Sequence, residues 1–259
     1  MSNPECVAKP DRAFSHLKSI EKMAGRWVDS YRVTHDDAPD QPGTKIVRLH
    51  ATAAPRGLGL LIGECLHNAR SFLDNLAFRL ASAHSGTAFT PAMQQASEFP
   101  IFSARPPTAQ DISRKIAGVH PDAQEIIKRL QPHNAAGYRQ NRLFHLHELD
   151  RINKHRFIIP AAAGHVGTGI GMPGIPAIHI EWLKQSGDPI AGPDGYAELM
   201  RYRGWHEIGG HRHMSVPVKV ERNAVSPIDP FRGIAIAPAL RSVLDHIRDD
   251  IVEALKPYF

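Results

Sequence analysis

Residues Leu58 to Ala83, LGLLIGECLHNARSFLDNLAFRLASA, carry an apolar spacing that suits a helix and little else. Leu58, Ile62, Leu66, Ala69, Leu73, Leu76 and Leu80 recur at steps of three and four, so at roughly 100° per residue they share one side of an α-helix. That side must be buried. His67, Asn68, Arg70 and Asp74 cluster at its edge, where side chains are half desolvated and can reach a neighbouring helix.

Three further helices follow from the same reasoning. Phe14, Leu17, Ile20, Met23, Ala24, Trp27 and Tyr31 predict one from about Asp11 to Val33, with Asp11 as its cap, ending in DDAPDQPG. Leu143, Leu146, Leu149 and Ile152 or Asn153 trace a narrow seam over residues 141–156, whose polar side holds His147, Asp150, Arg151 and Lys154. Pro238 opens the last, with Leu240, Val243, Leu244, Ile247, Ile251 and Leu255 on one face. Between these, TKIVRLHATA at 44–53 alternates like a strand, 99–102 reads as a short strand or extended linker, and short helices are expected at 108–116 and 121–130. Residues 157–237 turn rich in Gly, Pro and Ile and read as strands with turns. The expected fold is α+β in a single domain over 1–259. It has a helical bundle core of about four long helices (11–156 and 238–256) and an antiparallel β elaboration at 157–237, before the C-terminal helix.

With 259 residues and 42% hydrophobic content, the chain can bury a substantial core. The 31 basic residues exceed the 26 acidic ones without long runs, which permits a polyanionic partner but does not demand one. Two cysteines, Cys6 and Cys65, make no disulfide framework, and no apolar run approaches the roughly 20 residues that span a bilayer. The expectation is a cytoplasmic protein with no membrane partner.

GECLHNARSFLDNLAFRLA, FPIF, IIKRLQP and LHELDRINKHR, over residues 57–157, resemble a widespread family of uncharacterised bacterial proteins built around LHNxRSxLDHL, FPI, LQPY and DKHR elements. Asn75 stands where that family usually has histidine, and Asn153 where it usually has aspartate. The RSxLDH element in turn resembles the Arg-x4–6-His motif of HEPN helical ribonucleases and nucleotide-binding modules. This chain has four Arg-x4-His pairs, starting at Arg79, Arg142, Arg201 and Arg241. Residues five apart on an α-helix point about 140° apart, so Arg241 and His246 could share a site only across another helix or a dimer partner.

The site these readings favour for ligand binding combines His67, Asn68, Arg70 and Asp74 with His147, Asp150, Lys154, His155 and Arg156, on two helices packed antiparallel. Arg and Lys there could hold a phosphate by charge-assisted hydrogen bonds; alternatively, Arg70 with Asp74 and Asp150 with Lys154 are (i, i+4) pairs that fix helix register. Three functions follow: HEPN-like binding of RNA or a nucleotide without cleavage; a ribonuclease using His155 or His246 with Arg70 or Arg241; or a structural or oligomerising protein whose polar stripe only sets helix register. A homodimer is among the expected partners. No cofactor is implied. Glu64 and His67 form an ExxH step without the second such step that a di-iron bundle requires, so no metal is expected. HEIGGHRH at 206–213 has the wrong spacing and two glycines for a zinc helix and reads as a turn; GTGIGMPG at 167–174 lacks a P-loop lysine and reads as a flexible loop; Cys65 reads as a core thiol.

Overall fold

In a computed structural model the described residues are 5–102, 108–135, 137–155, 162–170, 179–182, 196–203, 206–208, 211–213, 218–225 and 234–259. The chain divides into two compact units. One comprises Met1–Ser19, Leu60–Ile159 and Pro238–Phe259, and the other Ile20–Gly59 and Pro160–Ala237.

The first unit is helical. Helix α1 (Glu5–Asp29), of which its N-terminal part belongs here, begins six residues before Asp11, so Asp11 lies within the helix and caps nothing. Helix α2 (Arg56–Ser85) buries all seven positions of the apolar stripe. Thr90 accepts the Met93 N–H to start a short helix α3 (Pro91–Ala96), which the sequence pattern does not announce. Helix α4 (Ala109–Lys115) opens on a capping box in which Thr108 and Asp111 satisfy each other's backbone N–H groups. Helix α5 (Pro121–Arg129) places proline in its first turn, behind a His120 cap. Helix α6 (Arg142–His155) starts where Asn141 Oδ1 accepts the Leu143 N–H, and it buries Leu143, Leu146 and Ile152. Helix α7 (Ile236–Asp245) does not continue as α-helix. Residues His246–Val252 are π-helical, and a last α turn, α8, spans Glu253–Leu255.

Helices α2 and α6 approach closely at one point. A Cβ built on Gly63 would lie 2.5 Å from Asn153 Oδ1, so the Asn153 side chain packs on α2 where α2 carries none. Farther along, the Arg70 charge acts on His147. Moving from Gly63 to Arg70 up α2 corresponds to moving from Asn153 to His147 down α6, which makes the pair antiparallel.

The second unit holds the main sheet, and here the expected layout is corrected. Helix α1 ends at Asp29 rather than running to Val33. The Ser30 hydroxyl donates to the Trp27 carbonyl, and residues Arg32–Asp37 become strand β1 instead of helix and loop. The β-branched Val33 and Thr34 suit a pleated surface. Strand β2 (Thr44–His50) pairs antiparallel with β1 through a turn in which Gly43 takes φ +75°, and buries Ile46, Val47 and Leu49. The later strands are β3 (Ala162–Ile170), β4 (His179–Trp182), β5 (Tyr196–Arg203), β6 (His206–Ile208), β7 (His211–His213) and β8 (Val218–Val225). The four-stranded sheet runs β1-β2-β5-β4, so strands from before α2 and from after α6 build it together; the β structure is not confined to 157–237. Arg48 ties it across, with Nη1 3.1 Å from Asp36 and Nη2 2.9 Å from Glu198. Strands β3 and β8 form a separate pair, so Gly167 to Ile170 are strand rather than flexible loop. His206–Ile208 and His211–His213 also pair antiparallel, in place of a plain turn. Residues 99–102 are extended without strand pairing. The class is therefore α+β, and among the described residues no helix is long and apolar enough to cross a membrane.

Candidate functional site

Among the described residues of the helical unit Arg70 is a buried cation, and its hydrogen bonds explain why. Its Nη2 donates to Asp74 Oδ1 at 2.9 Å and to the Phe99 carbonyl at 2.8 Å, while the same Asp74 oxygen accepts the Phe99 N–H at 3.1 Å. One helical (i, i+4) pair thus holds both polar groups of a residue in an extended segment that has no ladder to satisfy them. Gln131 does the same two residues on. Its Nε2 donates to the Pro100 and Ile127 carbonyls at 2.9 and 3.0 Å, and its Oε1 accepts the Phe102 N–H at 3.0 Å. The RSFLD, FPIF and RLQP segments are one device that straps residues 99–102 to α2 and to the end of α5. Lys115 joins its edge, paired with Glu98 and 5.8 Å from the Phe102 ring. Burial lowers its pKa, and the Arg70 charge lowers it further.

On α6, Asp150 is buried and pairs with Lys154 at 2.7 Å, one turn on; its Oδ1 has no hydrogen-bond partner, and neither does Arg70 Nη1. His147 is half-buried. Burial pushes its pKa down, and the Arg70 charge adds to that. The two predicted halves of the site come together only in this electrostatic sense: among the described residues no hydrogen bond or ion pair joins Arg70 or Asp74 to His147, Asp150 or Lys154. His67 is exposed, and Asn68 donates to the Glu64 carbonyl of its own helix. Asn75, likewise, donates to the Ser71 carbonyl. His155 belongs to α6, but its side chain and all of Arg156 lie outside the described residues.

A different feature offers space. Helices α1 and α2 and the C-terminal helical segment enclose a half-open groove of 1350 Å³, all of it within the helical unit. Its walls are apolar, with Phe14, Phe72, Leu76, Leu244, Ile247 and Val252, and its polar lining is cationic: Lys18, Arg79, Arg241, Arg248 and Lys256 against one carboxylate, Asp11. Arg248 lies 5.0 Å from the Phe14 ring centre and pairs with Asp245 and Asp249, and Lys256 pairs with Glu253. Among the described residues Lys18 and Arg79 meet no carboxylate. Sequence reasoning missed this groove because its three walls lie far apart in the chain. The usable signal was on α2, where Phe72, Arg79 and Ala83 form a second stripe beside the core one.

Arg241 and His246 face different surroundings, as their spacing suggests. Arg241 lines the groove, whereas His246 Nδ1 lies 2.5 Å from Asp250 Oδ2 and is not part of the lining. Glu64 meets His16 at 3.5 Å, and among the described residues no group of three or more His, Cys, Asp or Glu could hold a metal. Cys65 donates to the Ala13 carbonyl at 3.5 Å, and burial raises its thiol to about 12, which suits a core residue and not a nucleophile. No family model, curated protein or solved structure matches the chain.

Proposed function

We propose that the helical unit is a non-catalytic binding module that takes an anionic ligand in the groove between α1, α2 and the C-terminal helices. The observation that carries this reading is the charge of the lining: five cations to one carboxylate around apolar walls, with Lys18 and Arg79 meeting no carboxylate among the described residues even though Arg248 and Lys256 pair with acidic neighbours. Fixed cations beside low-dielectric walls attract an anion more strongly than the same charges spread over an open surface, and a ligand with an apolar part gains from the walls. The described part of the stripe predicted from sequence, Arg70 with Asp74 and Asp150 with Lys154, serves this module as a scaffold. Arg70 holds the Phe99 carbonyl and the two pairs hold helix register, which leaves the groove to bind.

A second reading, single-stranded RNA or a nucleotide, follows from the HEPN-like pattern and gains from Phe78 and Phe259, two exposed aromatics on the groove lining near cations. Cleavage is not part of the proposal, since His246 is held by Asp250 and the asparagine at position 75 cannot exchange a proton near neutral pH. The test is equilibrium binding of an anionic aromatic fluorophore, 8-anilinonaphthalene-1-sulfonate, to the full chain at low and moderate salt, with wild type and Arg79→Glu/Arg241→Glu. Saturable binding that weakens with salt and at least about tenfold in the variant is expected. Equal binding by both proteins would remove the groove as the site.

A further inference from the structure

The groove's shape says more about its occupant than its charge does. On α2 the lining residues Ala69, Phe72, Leu76, Arg79 and Ala83 advance in steps of three and four over 14 residues, about 20 Å of helix at roughly 1.5 Å per residue. The opposite wall is of similar length, running from Arg241 through Leu244 and Ile247 to Val252 and Lys256. With Arg248 included, this wall also advances in steps of three and four, Arg241, Leu244, Arg248, Val252 and Lys256. The lining is thus an elongated trough, about four turns along both helices, with cations among its positions.

Resting on the anionic-ligand reading above, we propose that the occupant is an amphipathic helix of a partner protein, about four turns long, with an aliphatic stripe facing the walls and acidic side chains facing the cations. A trough between helices takes such a segment by its i, i+3, i+4 and i+7 side chains, and Lys18 and Arg79, which lack acidic partners among the described residues, meet its carboxylates. Two alternatives fit less well. Nucleobases stack on several open aromatic faces, but of the four lining phenylalanines Phe259 alone is open: Phe72 is buried, Arg248 lies over the Phe14 ring, and Phe78 packs edge-on against Phe89 with ring centres 5.1 Å apart. A second copy of this chain, groove against groove, would set Lys18 and Arg79, which meet no carboxylate among the described residues, against the same cations of its partner.

The test uses fluorescein-labelled synthetic peptides of about 14 residues with leucine on one helical stripe: one with glutamate elsewhere, one with lysine elsewhere, and a scrambled acidic peptide of the same composition. A mixed-sequence single-stranded RNA of about 12 nucleotides is the fourth probe. Each is titrated by anisotropy into the full chain and into the variants Lys18→Glu/Arg79→Glu and Val252→Glu, whose fold is checked by circular dichroism. The first pair changes exposed or half-exposed side chains and keeps the core intact. The acidic amphipathic peptide should bind at least about tenfold tighter than the lysine and scrambled peptides, and lose at least about tenfold in the charge-reversed variant. Binding of RNA but of no peptide, lost in the same variant, overturns the helix while leaving the anionic groove. Concentration-dependent self-association abolished by that variant overturns it in favour of a second copy. No binding by any probe overturns both.

Discussion

Gly63 of α2 faces Asn153 of α6 so closely that a methyl group on the glycine would lie 2.5 Å from the asparagine Oδ1 and 2.8 Å from its Nδ2. The asparagine amide fills the gap that the missing side chain leaves, and the two helices are in register because of it.

That contact predicts a non-additive pair of substitutions. Alanine in place of a mid-helix glycine gains roughly 0.5–1 kcal/mol from backbone entropy. In Gly63→Ala the gain is cancelled because Asn153 must move. In the Asn153→Ala background it should reappear, so a double-mutant cycle by urea denaturation should show coupling of at least about 0.5 kcal/mol. Equal gains in both backgrounds would mean that the helices do not meet there.

A second prediction concerns the strap at 99–102. Arg70→Ala leaves the Phe99 carbonyl and Asp74 without their shared donor in a buried setting, and should cost about 2–3 kcal/mol. Gln131→Ala, which strands the Pro100 carbonyl and the Phe102 N–H, should cost about 1–3 kcal/mol. Hydrogen exchange should show the Phe99 and Phe102 amides losing protection first in the respective variants. A loss under about 0.5 kcal/mol in both would show that other contacts hold the segment.

The helices were legible because their signal is local. Seven apolar positions on α2, the Thr108–Asp111 capping box and Pro121 each announce themselves within a few residues. Strand β1 was not legible: RVTHDD has no apolar alternation, and what makes it a strand is pairing with β2, itself paired with β5 about 150 residues on. The polar stripe and its two (i, i+4) pairs, Arg70 with Asp74 and Asp150 with Lys154, were legible, but the backbone groups it holds were not. Arg70 and Gln131 bind backbone groups of Phe99, Pro100 and Phe102, and a backbone carbonyl leaves no mark in a sequence. The π-helical stretch is similarly silent, since His246–Val252 reads as ordinary amphipathic helix at a period of 3.6.

The α2–α6 core supplies a third prediction. Leu66 and Leu146 are fully buried on the facing helices, so truncating either to alanine should cost about 2–5 kcal/mol, transfer and cavity terms together. Denaturant midpoints at unchanged slope would measure it. Losses below about 1 kcal/mol at both positions would be incompatible with this core.

The last prediction is a pH dependence with a defined sign. His145 and His147 both have pKa values held below their ordinary 6.5. For His145 the cause is burial, opposed by a hydrogen bond to the Arg139 carbonyl; for His147 it is burial and then the Arg70 charge, opposed by Glu148 and Asp150. The folded chain therefore keeps both rings neutral at a pH where the unfolded chain has begun to protonate them. Between the folded values and about pH 6.5 the unfolded state binds more protons, so stability rises with pH through that window and is lost as pH falls through it. Thermal midpoints measured from about pH 7.5 down to about pH 5 should drop more steeply for wild type than for His145→Gln/His147→Gln, whose neutral amides cannot take up the protons. Parallel curves would mean that neither ring is buried as described, and a shallower wild-type curve would reverse the sign.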